Sequence, residues 1–254
     1  MQDSPEKNIK LTISYDGTEF FGWQTQPGKR TVQETIEKAI EKITGHEAKL
    51  MGSGRTDSGV HALGQVANFK TRSTIETTRI AMALNSYLPE DVSILEAEDV
   101  NNCFDANRNA ISKTYRYVIR CSRATDPFSR KYAHTVKYSL DEEKMRVAAK
   151  ALLGTHDFQC FETDWPNRAT SIRNIHKAII SRMGDWIWIT VEADGFLYNM
   201  VRAIVGSLIE IGRGFWPVEK MEQIIASRNR NHAGPTAPAK GLYLLKVNYD
   251  KIHE

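Results

Sequence analysis

Between Lys10 and Ala97 the spacing of apolar residues switches repeatedly between a period of two and one near 3.6, and that order restricts the fold more than any single motif. KLTISY (10–15) alternates and is rich in β-branched residues, the pattern of a strand. Residues 31–45 read as a helix. Val32, Ile36, Ile40 and Ile43 make one apolar stripe, Thr31 and Glu34 supply a T-x-x-E capping box, and Gly45 suits the stop. A short strand is expected near 48–51. Alternation resumes in Leu63, Gln65, Ala67 and Phe69, with Val66 and Asn68 opposite. A helix from Thr77 to Leu88, halted by Pro89, and a strand over 92–97 complete the order β-α-β-β-α-β, the ferredoxin-like unit.

The second half repeats this order with insertions. Strands are expected over 112–120 and 133–138, and a helix over 141–153 ends at Gly154. Residues 172–182 and 186–192 read as a hairpin around Met183-Gly184-Asp185. A helix over 196–211 gathers Leu197, Met200, Val201, Ile204, Val205 and Leu208 on one broad apolar side. A short helix (218–227) and a closing strand (241–249) follow. The expected fold is α+β: two ferredoxin-like halves, 1–106 and 107–254, with antiparallel sheets around a central basic cleft.

No stretch of the 254 residues approaches the ~18–20 apolar positions a membrane span needs. The opening MQDSPEKN lacks the apolar core of a signal peptide. Cys103, Cys121 and Cys160 are far apart, with no metal-ligand spacing. A reduced, cytoplasmic protein without metal is expected.

The net charge of +3 says little, but its distribution is uneven. Residues 107–131 hold seven basic side chains (Arg108, Lys113, Arg116, Arg120, Arg123, Arg130, Lys131) against one acid, Asp126. Residues 167–182 hold four more (Arg168, Arg173, Lys177, Arg182) and no acid. A basic strand interleaved with aromatics, such as KTYRYVIR, is what a phosphate backbone with stackable bases would select.

The loop GSGRTDSGVH (52–61) is glycine-rich but is not G-x-G-x-x-G, and it leads into a strand. No helix N-terminus follows to hold a pyrophosphate, which excludes a nucleotide-cofactor site. An aspartate in such a turn commonly caps its own backbone. Arg55 argues for more, because a guanidinium beside Asp57 would keep the acid ionised, depress its pKa and also reach a phosphate. Tyr115 shares a strand face with Lys113 and Tyr117; if that face lines a cleft, one ring can stack on a base drawn out of an RNA helix. Arg202, in the apolar FLYNMVRAIVG, is either a snorkelling side chain or a buried guanidinium that needs a carboxylate, for which Asp57 is a candidate. His61 and His156 have no partner at ligand or triad spacing and read as structural.

Taken together these segments resemble the tRNA pseudouridine synthase A family. The resemblance runs over YDGTEFFGWQTQ (15–26), RTVQETIE (30–37), GRTDSGVHALGQV (54–66), LNSYLPEDV (84–92), KTYRY (113–117), GTHDF (154–158), GFLYNMVRAIVG (195–206) and GPTAPAKGLYL (234–244). It implies two ferredoxin-like halves about a basic cleft, a homodimer, no cofactor or metal, and isomerisation of uridines in the anticodon arm of tRNA, at positions 38–40. By motif, Asp57 resembles the catalytic aspartate and Arg55 the arginine that helps extrude the uridine. Tyr115 resembles the tyrosine that stacks on the base, Arg202 the basic partner of the aspartate, and Leu244 an apolar residue flooring the pocket. Lys113 and Arg116 fall in the same substrate-binding strand. One departure stands out. The family usually has F-x-A-R before the tyrosine strand, where this chain has Phe104-Asp105-Ala106-Asn107, with Arg108 one position late.

Two other functions compete. An RNA glycosylase usually wants two carboxylates about 5–10 Å apart, whereas the loop offers one acid beside an arginine. A non-catalytic tandem RNA-recognition protein needs aromatics on its sheets but has no need of Asp57.

Overall fold

Two units make up the chain, 1–111 with 244–254, and 112–243; the computed structural model describes residues 5–163 and 170–250. In the first unit β1 (Lys7–Tyr15) is the inner strand, antiparallel to both β3 (His61–Thr71) and β4 (Val92–Val100). Ile9 pairs with Phe69 on one side and Asp99 on the other. The two-residue β2 (Met51–Gly52) pairs with β3, giving the order β4-β1-β3 with β2 beside β3. The last strand of the chain, β10 (Leu242–Tyr249), also neighbours β3. Division at residue 106 leaves this strand with the second half; its pairing draws residues from Leu244 onward into the first unit.

The helix α1 (Val32–Thr44) buries Val32, Ile36 and Ile40 of the stripe its spacing predicts, with Ala39 beside them, while Ile43 is only half-buried; each large buried side chain contributes on the order of 1.5–3 kcal/mol. It stops at Gly45, which adopts the left-handed conformation at φ 76°. The capping box does not form. Thr31 is fully buried and its Oγ has no hydrogen-bond partner, while Glu34 turns outward to Lys38 at 2.7 Å. The first amides of the helix are satisfied instead by backbone, Val32 by the Gly22 carbonyl (3.2 Å) and Gln33 by the Trp23 carbonyl (3.0 Å). The second helix is shorter than expected, α2 (Thr77–Asn85), its end set by Asn85, whose side chain bonds both the N–H and the carbonyl of Ile94.

A buried polar pair ties the end of this unit together. Asn8 Nδ2 donates to the carbonyls of Asn101 (2.9 Å) and Phe104 (3.0 Å), and Asn68 Nδ2 donates to Asn8 Oδ1 (2.9 Å). Asn68 Oδ1 accepts from the Ala106 amide at 2.8 Å, and the Tyr249 hydroxyl donates to the Ala106 carbonyl at 2.7 Å. The FDAN segment is therefore fixed by its backbone and by Phe104, whatever side chain stands at 107. Asp105 caps the following turn, accepting from the amides of Asn107 and Arg108.

In the second unit the strand order is β5 (Ala110–Cys121), β9 (Trp186–Ala193), β8 (Ile172–Met183), β7 (Gly154–Asp157), antiparallel throughout. β8 and β9 form the expected hairpin, with Gly184 at φ 58° in the turn. A short strand, β6 (His134–Val136), adds parallel to β5. α3 (Glu142–Ala149) is capped by Asp141, which accepts from the amides of Glu143 and Lys144. α4 (Met200–Gly212) starts later than its apolar pattern suggests, because Asn199 is left-handed at φ 61°. Every residue of α4 except Arg202 is buried, so this is a core helix and not an amphipathic one. α5 (Lys220–Ser227) completes the unit. The architecture is α+β with mostly antiparallel strands. No helix among the described residues is long and apolar enough to cross a membrane.

Candidate active site

The loop between β2 and β3 carries Arg55 and Asp57, and its backbone is held on both sides of Asp57. Its entry is fixed by the Ser53 amide on the Val66 carbonyl (2.7 Å), and Ser53 Oγ donates to Gln65 Oε1 (2.6 Å). Gln65 Nε2 turns back to the Gly54 carbonyl at 3.1 Å. The residue before Asp57 is clamped twice. The Thr56 carbonyl accepts from the Trp23 amide (3.0 Å), and Thr56 Oγ1 bonds the hydroxyl of buried Tyr15 (2.8 Å). Burial pushes the Tyr15 phenol well above its ordinary pKa, so it stays neutral. On the far side, Ser58 Oγ and the Gly59 amide both donate to the Phe20 carbonyl (3.2 and 3.3 Å), and the Val60 amide closes a turn on the Asp57 carbonyl (3.1 Å).

The glycines have specific tasks in this clamp. A β-carbon on Gly52 would lie 2.6 Å from the Trp23 indole. Gly22 sits at φ +87°, where a β-carbon would lie 2.6 Å from the Thr56 carbonyl oxygen. They let the chain around Trp23 lie against the loop. Asp57 is left half-buried at the centre of a fixed frame, with Arg55 exposed two residues before it. Asp57 is not a free side chain within this frame. Leu244, 1% exposed, lies on β10 beside β3, the strand into which the loop runs.

The other candidates belong to the second unit. Tyr115 is buried and packs edge-on against Phe196, ring centroids 5.0 Å apart at 83°. Lys113 shares its face of β5, and its ammonium is pushed down to about 8, first by burial and then by the charge of Arg173. Arg116 lies on the opposite face, where Nε donates to Thr190 Oγ1 at 3.2 Å. The structure therefore separates Arg116 from Tyr115 and Lys113. Tyr117 is a packing residue, its hydroxyl donating to the Pro238 carbonyl at 2.7 Å.

Arg202 does not snorkel. From within α4 its Nε donates to the Ala237 carbonyl (2.7 Å) and Nη1 to Asn199 Oδ1 (2.8 Å), while its own carbonyl accepts from the Ala237 amide (3.1 Å). It fixes the loop 234–241 to the helix. The two histidines are structural. Buried His61 places Nδ1 3.1 Å from the Gly17 amide, and His156 Nε2 lies 2.8 Å from the Leu153 carbonyl. Burial raises the Cys160 thiol to about 12, which makes it a poor nucleophile. Arg168, part of the second basic run, lies outside the described residues.

The residues that sequence reasoning left out are the supports: Tyr15, Phe20, Gly22, Trp23 and Gln65. For all but Gln65 the signal was present in YDGTEFFGW, where two glycines and four aromatics crowd into nine residues.

The family model for tRNA pseudouridine synthase matches residues 11–107 and 148–250. A tRNA pseudouridine synthase A of Acetivibrio thermocellus is 47% identical over 243 residues, covering 96% of this chain and 100% of its own. The corresponding protein of Thermoanaerobacter pseudethanolicus is 44% identical with the same coverage. That of Bacillus licheniformis is 45% identical over 246 residues, covering 95% of this chain and 99% of its own.

Proposed function

The chain belongs to the tRNA pseudouridine synthase family and is an isomerase, and we propose that it converts uridine to pseudouridine in the anticodon stem-loop of tRNA, at positions 38–40, with Asp57 as the attacking carboxylate. The observation that carries this reading is the clamp around Asp57. One half-buried acid sits in a loop whose neighbours on both sides are hydrogen-bonded to the 15–23 segment. Such preorganisation is what a nucleophile needs and a surface turn does not.

In the reaction the bond from ribose C1′ to N1 breaks, the base turns, C1′ joins C5, whose hydrogen leaves as a proton, and N1 takes up a proton in its place. Attack by the carboxylate on the sugar, attack on the base ring, and removal of a sugar proton all begin from the ionised Asp57. The base is reached outside the RNA helix, which costs a few kcal/mol of unstacking. Arg55, exposed beside Asp57, takes the space of the displaced base, and Tyr115 stacks on the flipped one. Arg202 supports the charge of the aspartate and Leu244 supplies apolar floor. Lys113, and Arg116 from its own face, add positive charge toward the RNA backbone.

The order β-α-β-β-α-β with β1 between β3 and β4 supports a ferredoxin-like first half, and the second is read in the same way. The enzyme is read as a cytoplasmic homodimer. Mapping pseudouridines in tRNA before and after treatment tests the site: new modification is expected at positions 38–40, and modification confined to another arm would contradict it.

A further inference from the structure

Where the chain leaves β5, residues 122–132 form a turn that holds Phe128 in solvent, 90% exposed. The exposure is built into the turn. Asp126 Oδ1 accepts from the Phe128 amide (3.2 Å), and Oδ2 pairs with Arg120 at 2.7 Å. The Arg120 guanidinium lies over the Trp186 ring, 5.2 Å from its centroid, and so roots the turn on the sheet. The Ser129 carbonyl accepts from the amides of Tyr132 (2.9 Å) and Ala133 (3.0 Å). Arg130 Nη1 donates to the Pro127 carbonyl, and the Tyr243 hydroxyl donates to the Tyr132 carbonyl at 2.7 Å.

A single exposed aromatic is ordinary on a protein surface. This one shares its turn with the exposed cations Arg123, Arg130 and Lys131 and with a second exposed ring, Tyr132, at 42%. The one acid, Asp126, is engaged by Arg120. A presented ring among cations is the chemistry that recognises single-stranded nucleic acid, the ring for a base and the cations for its phosphates. A second copy of this chain fits less well, because a two-fold contact centred on the turn would set like charges against each other.

We propose that the 122–132 turn is an RNA contact in which Phe128 stacks on an unpaired base of the substrate, with Arg123, Arg130 and Lys131 on the adjoining phosphates. The inference rests on the tRNA reading above and adds a second point of contact to it.

The test compares binding of one transcribed tRNA by wild type, Phe128→Ala, Phe128→Leu and Phe128→Trp at fixed salt, with solution mass measured alongside. Loss of stacking is expected to weaken binding about five- to a hundredfold in the Ala and Leu variants, with Trp restoring it. Arg123→Ala should lower the slope of log affinity against log salt by about one. Full affinity in Phe128→Leu would overturn the proposal, since leucine keeps apolar area but has no ring to stack. A fall in solution mass with unchanged tRNA affinity would also overturn it and assign the turn to a second copy. Wild type that binds tRNA but forms no pseudouridine would defeat the functional reading, while the affinity comparison would still decide this one.

Discussion

The amide of Trp23 donates to the carbonyl of Thr56 at 3.0 Å, and the carbonyl of the same tryptophan accepts from Gln33 in the first turn of α1. One residue thus joins the start of a core helix to the position next to Asp57. Gly22 beside it cannot carry a side chain without pressing on that carbonyl. Gly22→Ala is expected to cost about 1–3 kcal/mol of stability through backbone strain and contact. Because the displaced group adjoins Asp57, kcat/KM should fall at least about tenfold. Denaturant unfolding and pseudouridine formation check this together, and wild-type values for both would refute the clamp.

The Asn8–Asn68 pair predicts a stability effect away from the loop. Asn68→Ala orphans the buried Ala106 amide and removes a donor to Asn8, so a loss of about 2–4 kcal/mol is expected in urea unfolding. A loss under about 0.5 kcal/mol would show that water replaces the side chain without cost.

Arg202→Ala should release the loop 234–241, because the guanidinium contacts to Ala237 and Asn199 both disappear. Amide exchange in that loop is expected to quicken while α4 stays protected. Unchanged exchange would mean that Gly234, which donates to Ser207 Oγ at 2.8 Å, holds the loop alone.

Lys113 predicts a pH dependence. Its folded pKa lies near 8, below the ordinary lysine value, so the unfolded chain binds the extra proton between about 8 and 10.4. The contribution of this group to stability therefore increases as pH rises through that window and is constant below it. RNA binding should move the other way, weakening as pH rises past 8 and the cation is lost. Lys113→Arg is expected to flatten the binding profile between pH 7 and 9. The same slope in wild type and variant would place the titrating group elsewhere.

Much of this architecture was legible because periodicity reports burial. The stripe of α1, its Gly45 stop and the β8–β9 hairpin follow from residues whose neighbours in sequence are also their neighbours in space. Thr31 was misread because the partners of the helix amides, Gly22 and Trp23, lie outside the helix and contribute backbone, which has no residue signature. Arg202 was half legible. Its isolation in an apolar helix left a snorkelling side chain and a buried guanidinium both open, and an acceptor such as the Ala237 carbonyl cannot be distinguished from any other in a sequence. The pairing of β10 with β3 is of the same kind, since nothing in a terminal strand names its distant neighbour. Asp57 stood out for the opposite reason: two charges among glycines fit no local rule, and residues that break local rules gather at functional sites.

Salt offers a further check on substrate class. If the basic strands neutralise several phosphates, log affinity for tRNA should fall linearly and steeply with log salt between about 50 and 200 mM. A flat profile would count against a phosphate-lined binding surface.

The most direct measurement is tritium release from tRNA carrying 5-tritiated uridine, run with wild type and Asp57→Asn beside a tRNA-binding assay and circular dichroism of both proteins. The predicted result is release by wild type, none above background by Asp57→Asn, and binding within a few-fold of wild type by a variant with unchanged secondary structure. Normal release by a folded Asp57→Asn protein would contradict the assignment of Asp57 as the attacking group.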